Sequence, residues 1–575
     1  MQREASERRN PFSLNFWRTR DLSRLRPLLD LLPLVGEVLV NTFNYFFYRP
    51  QRLVLRPYSN LRTWQHRLFG LAIVPTVFVF CFVWGFFFAL TAPYLIVPCA
   101  IPVVVLGLLT IWALPEERVA PLRLMRFLHA GFIISLILWP NYLAIALPGL
   151  PWMTFLRIFG IPLTLALLMS LSASQAFRAK LGMILNSMPL VWRCLAVFAA
   201  MMFITLPFSK SIGSSFSRTL IYQVNWIGVF MFSAYMFYKP GRVVRYIILL
   251  CALAVPIGVI SFMEFEAQHL LWDSHVPFFL KVDDLDHLLR PEFRTGTGEY
   301  RAKATFSTAL GLAEYVAVLT PFLLHWLVTS RVLLVRAVCV AMIVLILLTI
   351  DFSGSRLGNV GVMLSVLLYS LYWAYMRWRT ERSDLLAPAI FFSYPAFFVL
   401  LMGASLFVTK VHNAIWGGGA QASSNAARTN QIHMALPHIF ENPIGHGTGM
   451  SGPAMGYGEG RFVTIDNYMI SLGLDYGPIG VLAYYGMFLI AAGVALRAAV
   501  FDVPESRDPE AAYLAPLAMS VVTWMVIKLV FSQIDNDPLL WMETGMLVAL
   551  YARVQNEIRT SRDRPAPRGY AANAA

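Results

Sequence analysis

Apolar runs of about 20 residues alternate with short polar connections along most of the chain. A helix of this length crosses ~30 Å of hydrocarbon at ~1.5 Å per residue. The pattern therefore predicts an all-α, polytopic helical membrane protein with about 14 transmembrane helices. Their expected positions are 68–90, 94–114, 127–148, 153–173, 194–208, 219–238, 246–263, 304–327, 337–353, 356–376, 388–408, 466–496, 511–531 and 538–552.

Composition supports the membrane assignment. Apolar residues make up 58% of the chain and charged residues 14%, against about 25% charged in a soluble protein. Residues 1–66 are basic and mostly polar, too long and too charged for a signal peptide. Within them, residues 28–48 are apolar but interrupted by Asp30 and Glu37, which indicates an interfacial helix rather than a span.

The formal net charge of +14 follows from where the basic residues lie. Most Lys and Arg residues fall on the side of the membrane that carries the amino terminus, so both termini are expected in the cytoplasm. The charge is thus a topology signal with some attraction to anionic membrane lipids, and no nucleic-acid partner is expected.

The organisation expected is a basic cytoplasmic or interfacial region (1–66), an N-terminal transmembrane bundle (67–263), a first outer loop (264–303), transmembrane helices (304–408), a large outer loop with amphipathic helices (409–465), C-terminal transmembrane helices (466–553) and a disordered cytoplasmic tail (554–575).

Basic residues mark the first two outer connections. Arg301 and Lys303 precede the span at 304–327, where two cations could grip phosphate oxygens or simply anchor the helix at lipid head groups. The turn Asp351-Phe-Ser-Gly-Ser-Arg356 then joins two apolar helices. Asp351 and Arg356 could pair to staple this turn, or Arg356 could bind a diphosphate through its planar guanidinium.

The large outer loop supplies a third cation and a polar helix entry. Arg428 precedes TNQIHMALPHIF, whose apolar spacing predicts an amphipathic helix on the membrane face. Gly445-His446-Gly447-Thr448-Gly449 follows no strand and is not a nucleotide motif; it either forms a turn or lets backbone approach a sugar or phosphate. Asp466-Asn467 then opens the next helix, where Asp466 could be an N-cap or a general base.

Three further ionisable residues lie at membrane depth: Glu314, Lys528 and Glu543. Lys528 is expected to pair with Glu543 or Glu314 as a staple between helices. Asp283-Asp284-Leu285-Asp286 is interpreted as a solvated acidic patch, so neither a metal nor another cofactor is expected.

These motifs resemble the O-antigen ligase and polysaccharide polymerase family of bacterial membrane glycosyltransferases. The resemblance covers roughly 294–485 and rests on the Arg301 entry, the Ser-Gly-Ser-Arg356 turn, Arg428 with its Pro-Ile-Gly-His-Gly-Thr-Gly loop, and Asp466-Asn467-Tyr468 leading to Gly477-Pro-Ile-Gly480. Ligases usually carry His-Asn at the fourth motif; Asp466 departs from this and favours polymerase-like members.

The resemblance implies a GT-C-like, metal-independent glycosyltransferase on the periplasmic face of the bacterial inner membrane. Its donor would be an undecaprenyl-diphosphate-linked glycan and its acceptor a glycan or a lipid, such as lipid A-core; polysaccharide assembly proteins would be further partners. Polymerisation of O-antigen or exopolysaccharide is expected ahead of ligation, and a flippase for lipid-linked oligosaccharide is the alternative from another class. The roles implied are diphosphate binding (Arg301, Lys303, Arg356, Arg428) and catalysis (Asp466 as base, His446 in reserve, Asn467).

Overall fold

Long helices make up most of the computed structural model. It describes residues 105–109, 111–112, 120–145, 153–273, 275–277, 279–282, 289–293, 298–412, 422–456, 465, 467–530 and 534–562, with single positions at 79 and 83. The predicted interfacial helix at 28–48, the predicted spans at 68–90 and 94–114 (apart from a few positions) and the acidic patch at 283–286 lie outside this part of the chain.

The helices follow the apolar runs. They are α1 Leu122–Leu138, α2 Phe155–Ala173, α3 Gln175–Leu185, α4 Pro189–Ile204, α5 Ile212–Tyr222, α6 Val229–Phe237, α7 Val243–Ala267, α8 Ala309–Ala317, α9 Thr320–Thr329, α10 Leu333–Phe352, α11 Arg356–Thr380, α12 Leu386–Phe407, α13 Thr409–His412, α14 Ala422–Glu441, α15 Ser451–Ala454, α16 Tyr468–Phe501, α17 Leu514–Lys528 and α18 Asp537–Arg562. A π-helical segment, Gln223–Gly228, joins α5 to α6, and single 3-10 turns occupy Leu206–Phe208, Val503–Glu505 and Ala511–Tyr513. Two short strands, β1 Leu143–Ile145 and β2 Leu280–Val282, pair with each other.

Ten helical stretches among the described residues are long and apolar enough to cross a membrane. They coincide with ten of the predicted spans, and the all-α polytopic membrane fold is confirmed.

Two other predictions differ from the structure. The span expected at 127–148 is a helix that stops at Leu138, because Pro140 and β1 follow it. The last helix, α18, continues through 554–562, part of the tail expected to be disordered.

The described residues fall into two units. Of these residues, the smaller unit contains 144–145, 153–154, 279–281 and the positions before 109, and the larger unit contains those in 109–143, in 155–277 and from 282 onward. Within the larger unit, α16 packs against α4, α17 and α18, and α6 packs along α18. Small residues on α16, such as Ala491 and Ala495, are fully buried at these crossings, which lets the helix backbones approach closely.

The larger unit gathers polar groups at two ends of its helices. At one end Arg553 pairs with Asp508 and with Glu510 (2.6 Å), and Glu510 also accepts from the Gly241 amide (2.9 Å). The other end, called the outer end here, holds the connections around 205–211, 298–308, 351–356 and 442–456. Contacts between these connections build the site.

Candidate functional site

The chain that leads into α8 is fastened to the end of α7. The Glu264 carboxylate accepts hydrogen bonds from the Tyr300 hydroxyl (2.9 Å) and from the amides of Lys303 (3.1 Å) and Ala304 (2.6 Å). Glu264 is fully buried, so these donors supply the partners that a buried carboxylate requires. The path of the segment carrying both predicted cations is therefore fixed.

Arg301 connects this segment to the turn before α11. Its Nη1 pairs with Glu292 (2.6 Å), and its Nε donates to the Ser353 carbonyl (3.1 Å). The side chain also lies over Gly354, whose φ is +57° and whose added Cβ would meet Arg301 Cγ at 3.4 Å. Arg301 thus lies beside the turn that presents Arg356.

Lys303 lies inside the protein, with 3% of its surface exposed. Its Nζ donates to the Arg290 carbonyl (3.4 Å). Burial lowers the pKa of the Lys303 ammonium below its ordinary value, although Glu292 and Glu264 oppose the shift. The positive charge of Lys303 therefore lies inside the protein and not on its surface.

Arg356 is the first residue of α11 and is exposed. Ser355 is the N-cap but makes no side-chain capping bond, and the first turn contains no acidic residue. The amino end of a helix carries partial positive charge and outward-pointing amides, which favour anions. A guanidinium at this position adds a full charge in a geometry suited to phosphate oxygens.

Helix α16 is broken in a way that exposes two carbonyls. Gly477 has φ +66° and ψ −178°, a backbone conformation essentially restricted to glycine. Pro478 follows, and because it has no N–H it cannot satisfy the Leu474 carbonyl one turn earlier. The Leu474 and Asp475 carbonyls are therefore available to another segment.

Residues 442–451, the glycine loop, take those carbonyls. The His446 amide donates to the Leu474 carbonyl (2.8 Å) and the Gly447 amide to the Asp475 carbonyl (3.0 Å). The approach is close, since a Cβ on Gly477 would lie 1.9 Å from the Pro443 oxygen. These hydrogen bonds and the close backbone approach hold the glycine loop against the break in α16.

The imidazole of His446 is oriented by the same carbonyl. Its Nδ1 lies 2.9 Å from the Leu474 oxygen. A carbonyl only accepts, so the contact assigns the proton to Nδ1 and leaves Nε2 as the nitrogen with a lone pair in the neutral ring. Nε2 makes no hydrogen bond within the described part of the chain. In this tautomer Nε2 is the ring nitrogen that can accept a hydrogen bond.

A buried carboxylate holds the other half of the glycine loop. Asp475, with 6% of its surface exposed, accepts from the Gly449 amide through Oδ2 (2.7 Å). Its other oxygen, Oδ1, is buried without a hydrogen-bond partner among the described residues, and the positive charge of Arg218 lies near the carboxylate. Arg218 in turn donates to the Gly449 carbonyl.

The chain around α5 forms the opposite wall of the loop. The hydroxyls of Thr219 and Thr448 share a buried hydrogen bond (2.6 Å), and Lys210 donates to the Pro453 carbonyl (2.7 Å). Two exposed cations, Lys210 and Arg218, thereby lie beside His446 and its loop.

Arg428 lies within α14 and is half-buried. This helix begins at Ala422, earlier than the amphipathic pattern from Thr429 predicts. Its Ala435 and Ile439 pack with Leu474 of α16 in a small apolar cluster. The helix that carries Arg428 is thus anchored to the segment that carries the loop.

The catalytic pair predicted at 466–467 is only partly described. Asp466 lies outside the described residues. Asn467 is the N-cap of α16, and its side-chain oxygen accepts from the Ile470 amide (3.2 Å). The capping function considered for Asp466 is therefore performed by its neighbour.

A buried ionic network lies beneath the outer end. Lys528 pairs with Asp537 (2.7 Å) and with Glu314 (3.4 Å), and all three side chains are inaccessible to solvent. Asn536 donates to Glu314 (3.0 Å), and the Tyr468 hydroxyl donates to Asp537 (3.0 Å). The network joins α8, α16, α17 and α18, as expected of a staple.

Glu543, the other partner considered for Lys528, is bonded elsewhere. It accepts from Ser520 (2.7 Å) and from the Trp524 indole (3.2 Å). It is buried and remote from the glycine loop in these contacts.

Comparison with known proteins gives one match to a family model. Residues 341–485 match the model described as O-antigen ligase. This segment is an O-antigen ligase family domain. It contains Arg356, Arg428, His446 and Asn467, while Arg301 and Lys303 precede it. No curated protein matches the chain.

The ligase-family domain suggests a glycosyltransferase-like enzyme that acts on a lipid-linked glycan and an acceptor, within a multi-pass membrane protein. Among the residues that the structure describes, no group of three or more His, Cys, Asp or Glu side chains is arranged to hold a metal ion.

The contacts unite the predicted residues in two groups. One joins Arg301 to the Arg356 turn; the other joins His446 to the break in α16. Sequence reasoning missed Asp475 and Arg218, which hold the second group. The available signal was Asp475 directly before Tyr476-Gly477-Pro478, a helix-breaking pair inside an apolar run.

Proposed function

We propose that the protein is a membrane glycosyltransferase that transfers or elongates undecaprenyl-diphosphate-linked polysaccharide on the periplasmic face of the bacterial inner membrane. The observation that carries this proposal is the O-antigen ligase match over 341–485, the segment that presents Arg356 and His446. Polymerisation is favoured over ligation because Asp466 stands where ligases usually carry histidine.

The donor's diphosphate binds at the amino end of α11. Arg356 is exposed there, and the first turn of α11 contains no acidic residue. Arg428 is the second guanidinium for the diphosphate. Arg301 assists by holding the Ser353-Gly354 turn, and Lys303 adds positive charge from inside the protein.

The reaction is a single displacement. An acceptor hydroxyl oxygen forms a bond to the anomeric carbon while the bond from that carbon to the diphosphate oxygen breaks, and the electron pair leaves with undecaprenyl diphosphate. Negative charge develops on the leaving oxygen, and guanidinium groups already in place stabilise it without reorganisation. We propose that these cations, and not a metal ion, offset that charge.

The hydroxyl proton goes to a base on the same face. Asp466 is the proposed base, with Asn467 fixing the start of α16 beside it. His446 is the second candidate, because its Nε2 is oriented to accept a proton. Asp466→Ala and His446→Gln distinguish the two: the true base loses turnover by roughly 100-fold or more while donor binding is kept.

The test is transfer by purified protein in liposomes supplied with the lipid-linked glycan. Arg356→Ala should raise the donor KM and lower turnover, and Arg356→Lys should recover only part of the loss. Arg382→Ala, which removes an exposed cation from the turn after α11, is the control. Equal activity in all three variants would refute a diphosphate site at Arg356.

Ligation remains the second candidate because the matched family is described as O-antigen ligase. A gel of the cell's glycolipids after deletion separates the two activities. Single repeat units left on the lipid indicate a lost polymerase, whereas full-length chains stranded on undecaprenyl diphosphate indicate a lost ligase.

A further inference from the structure

We infer that Asp475 is a positioning residue that latches the glycine loop to the break in α16 and so aims the His446 imidazole. Its catalytic consequence rests on the proposed function with His446 as the base that accepts the hydroxyl proton. The latch, meaning the hydrogen bond between the Asp475 carboxylate and the Gly449 amide, does not depend on that function.

The carboxylate of Asp475 lies in an unusual place. Asp475 belongs to a helix otherwise rich in apolar residues, yet its Oδ2 receives the Gly449 amide at 2.7 Å. A buried carboxyl group without any hydrogen-bond partner is costly. The Gly449 amide of the loop therefore offsets part of the cost of burying this side chain.

Two further contacts hold the glycine loop beside the Asp475 carboxylate. The Leu474 carbonyl accepts hydrogen bonds from the His446 amide and from His446 Nδ1. Arg218 donates to the Gly449 carbonyl, and its charge lies near the carboxylate. Removing the carboxylate releases the Gly449 amide, while the backbone hydrogen bonds of His446 and Gly447 to the Leu474 and Asp475 carbonyls remain.

Two substitutions of Asp475 distinguish a hydrogen-bonding role from a role in packing alone. A leucine fills a similar volume but accepts no hydrogen bond, and an asparagine accepts one hydrogen bond without the charge. If the latch is electrostatic and directional, the two substitutions must differ. If Asp475 merely fills space, they must behave alike.

The experiment compares Asp475→Leu and Asp475→Asn with the wild type in nanodiscs, with Glu543→Gln as a control for loss of a buried carboxylate remote from the loop. Hydrogen–deuterium exchange of the peptide covering 444–451 reports the latch directly. Exchange should accelerate about tenfold in the leucine variant, because the Gly449 amide loses its buried acceptor. It should accelerate less in the asparagine variant and remain unchanged in the control.

Turnover provides the second readout. With the lipid-linked glycan, kcat should fall by about tenfold or more in Asp475→Leu and partly recover in Asp475→Asn, while the donor KM changes less than about threefold, because the diphosphate cations are untouched. Unchanged loop exchange in Asp475→Leu overturns the inference, as does faster exchange with normal kcat. If Asp475→Leu does not accumulate, the asparagine variant alone decides through the same two readouts.

Failure of the proposed function has a different signature. A wild-type protein that relocates the glycan without making a glycosidic bond removes that function. Loop exchange that still depends on Asp475 would then support the latch by itself.

Discussion

Gly477→Ala tests whether the break in α16 organises the site. The added Cβ would lie 1.9 Å from the Pro443 oxygen and 2.8 Å from its carbonyl carbon, and both are backbone atoms that cannot swing aside. The φ of +66° with ψ near 180° adds about 1–3 kcal/mol for any residue with a side chain. Together the two effects exceed about 3 kcal/mol, enough to change the ratio of docked to undocked glycine loop by roughly 100-fold.

The assay measures transferase turnover and amide exchange of 442–451 in the same preparation. Gly493→Ala is the control, because it lies on the same helix with no atom within 4 Å of the added Cβ. We expect turnover to fall about 100-fold in Gly477→Ala with faster loop exchange, and no loss in Gly493→Ala. A Gly477→Ala protein with normal turnover and a protected loop would refute the interlocking of loop and helix.

Three further outcomes are expected. Lys528→Met should lower the free energy of unfolding by about 3–5 kcal/mol, because it leaves Glu314 and Asp537 buried without their cation. Thermal melting measures this loss, and most of it should be restored when Glu314→Gln and Asp537→Asn are added. Glu292→Gln should weaken the hold on Arg301, seen as a several-fold rise in donor KM with melting within experimental error; an unchanged KM would show that the pair does not matter for binding. His446→Gln should lower turnover by about 100-fold or more with little change in donor KM if His446 is the base, whereas wild-type turnover in that variant would exclude His446 as the base.

The membrane architecture could be predicted because one physical requirement dominates it. A segment in hydrocarbon must satisfy its own backbone, so apolar runs of sufficient length become helices. That reasoning located α7, α10 and α11 closely. It was less accurate where polar sequence forms helix, as in α14, which begins at Ala422 and packs on α16 through Ala435 and Ile439.

The site was predictable only in part. Arg356 could be placed because the Ser-Gly-Ser turn and the helix start are local in sequence. The contact of Arg218 with Gly449 joins residues 231 positions apart, and no local pattern encodes such a pairing. The role of Asp475 depends on the conformation of Gly477 and on a loop that precedes α16, which only the three-dimensional arrangement reveals.

The most direct test of the account follows the chemistry of the donor. Purified protein in liposomes receives an undecaprenyl-diphosphate-linked glycan and an acceptor, and both lipid products are quantified. We predict that each new glycosidic bond is accompanied by one released undecaprenyl diphosphate, and that Arg356→Ala suppresses both. Recovery of the donor chemically intact, whether or not it has changed leaflet, would contradict the central claim.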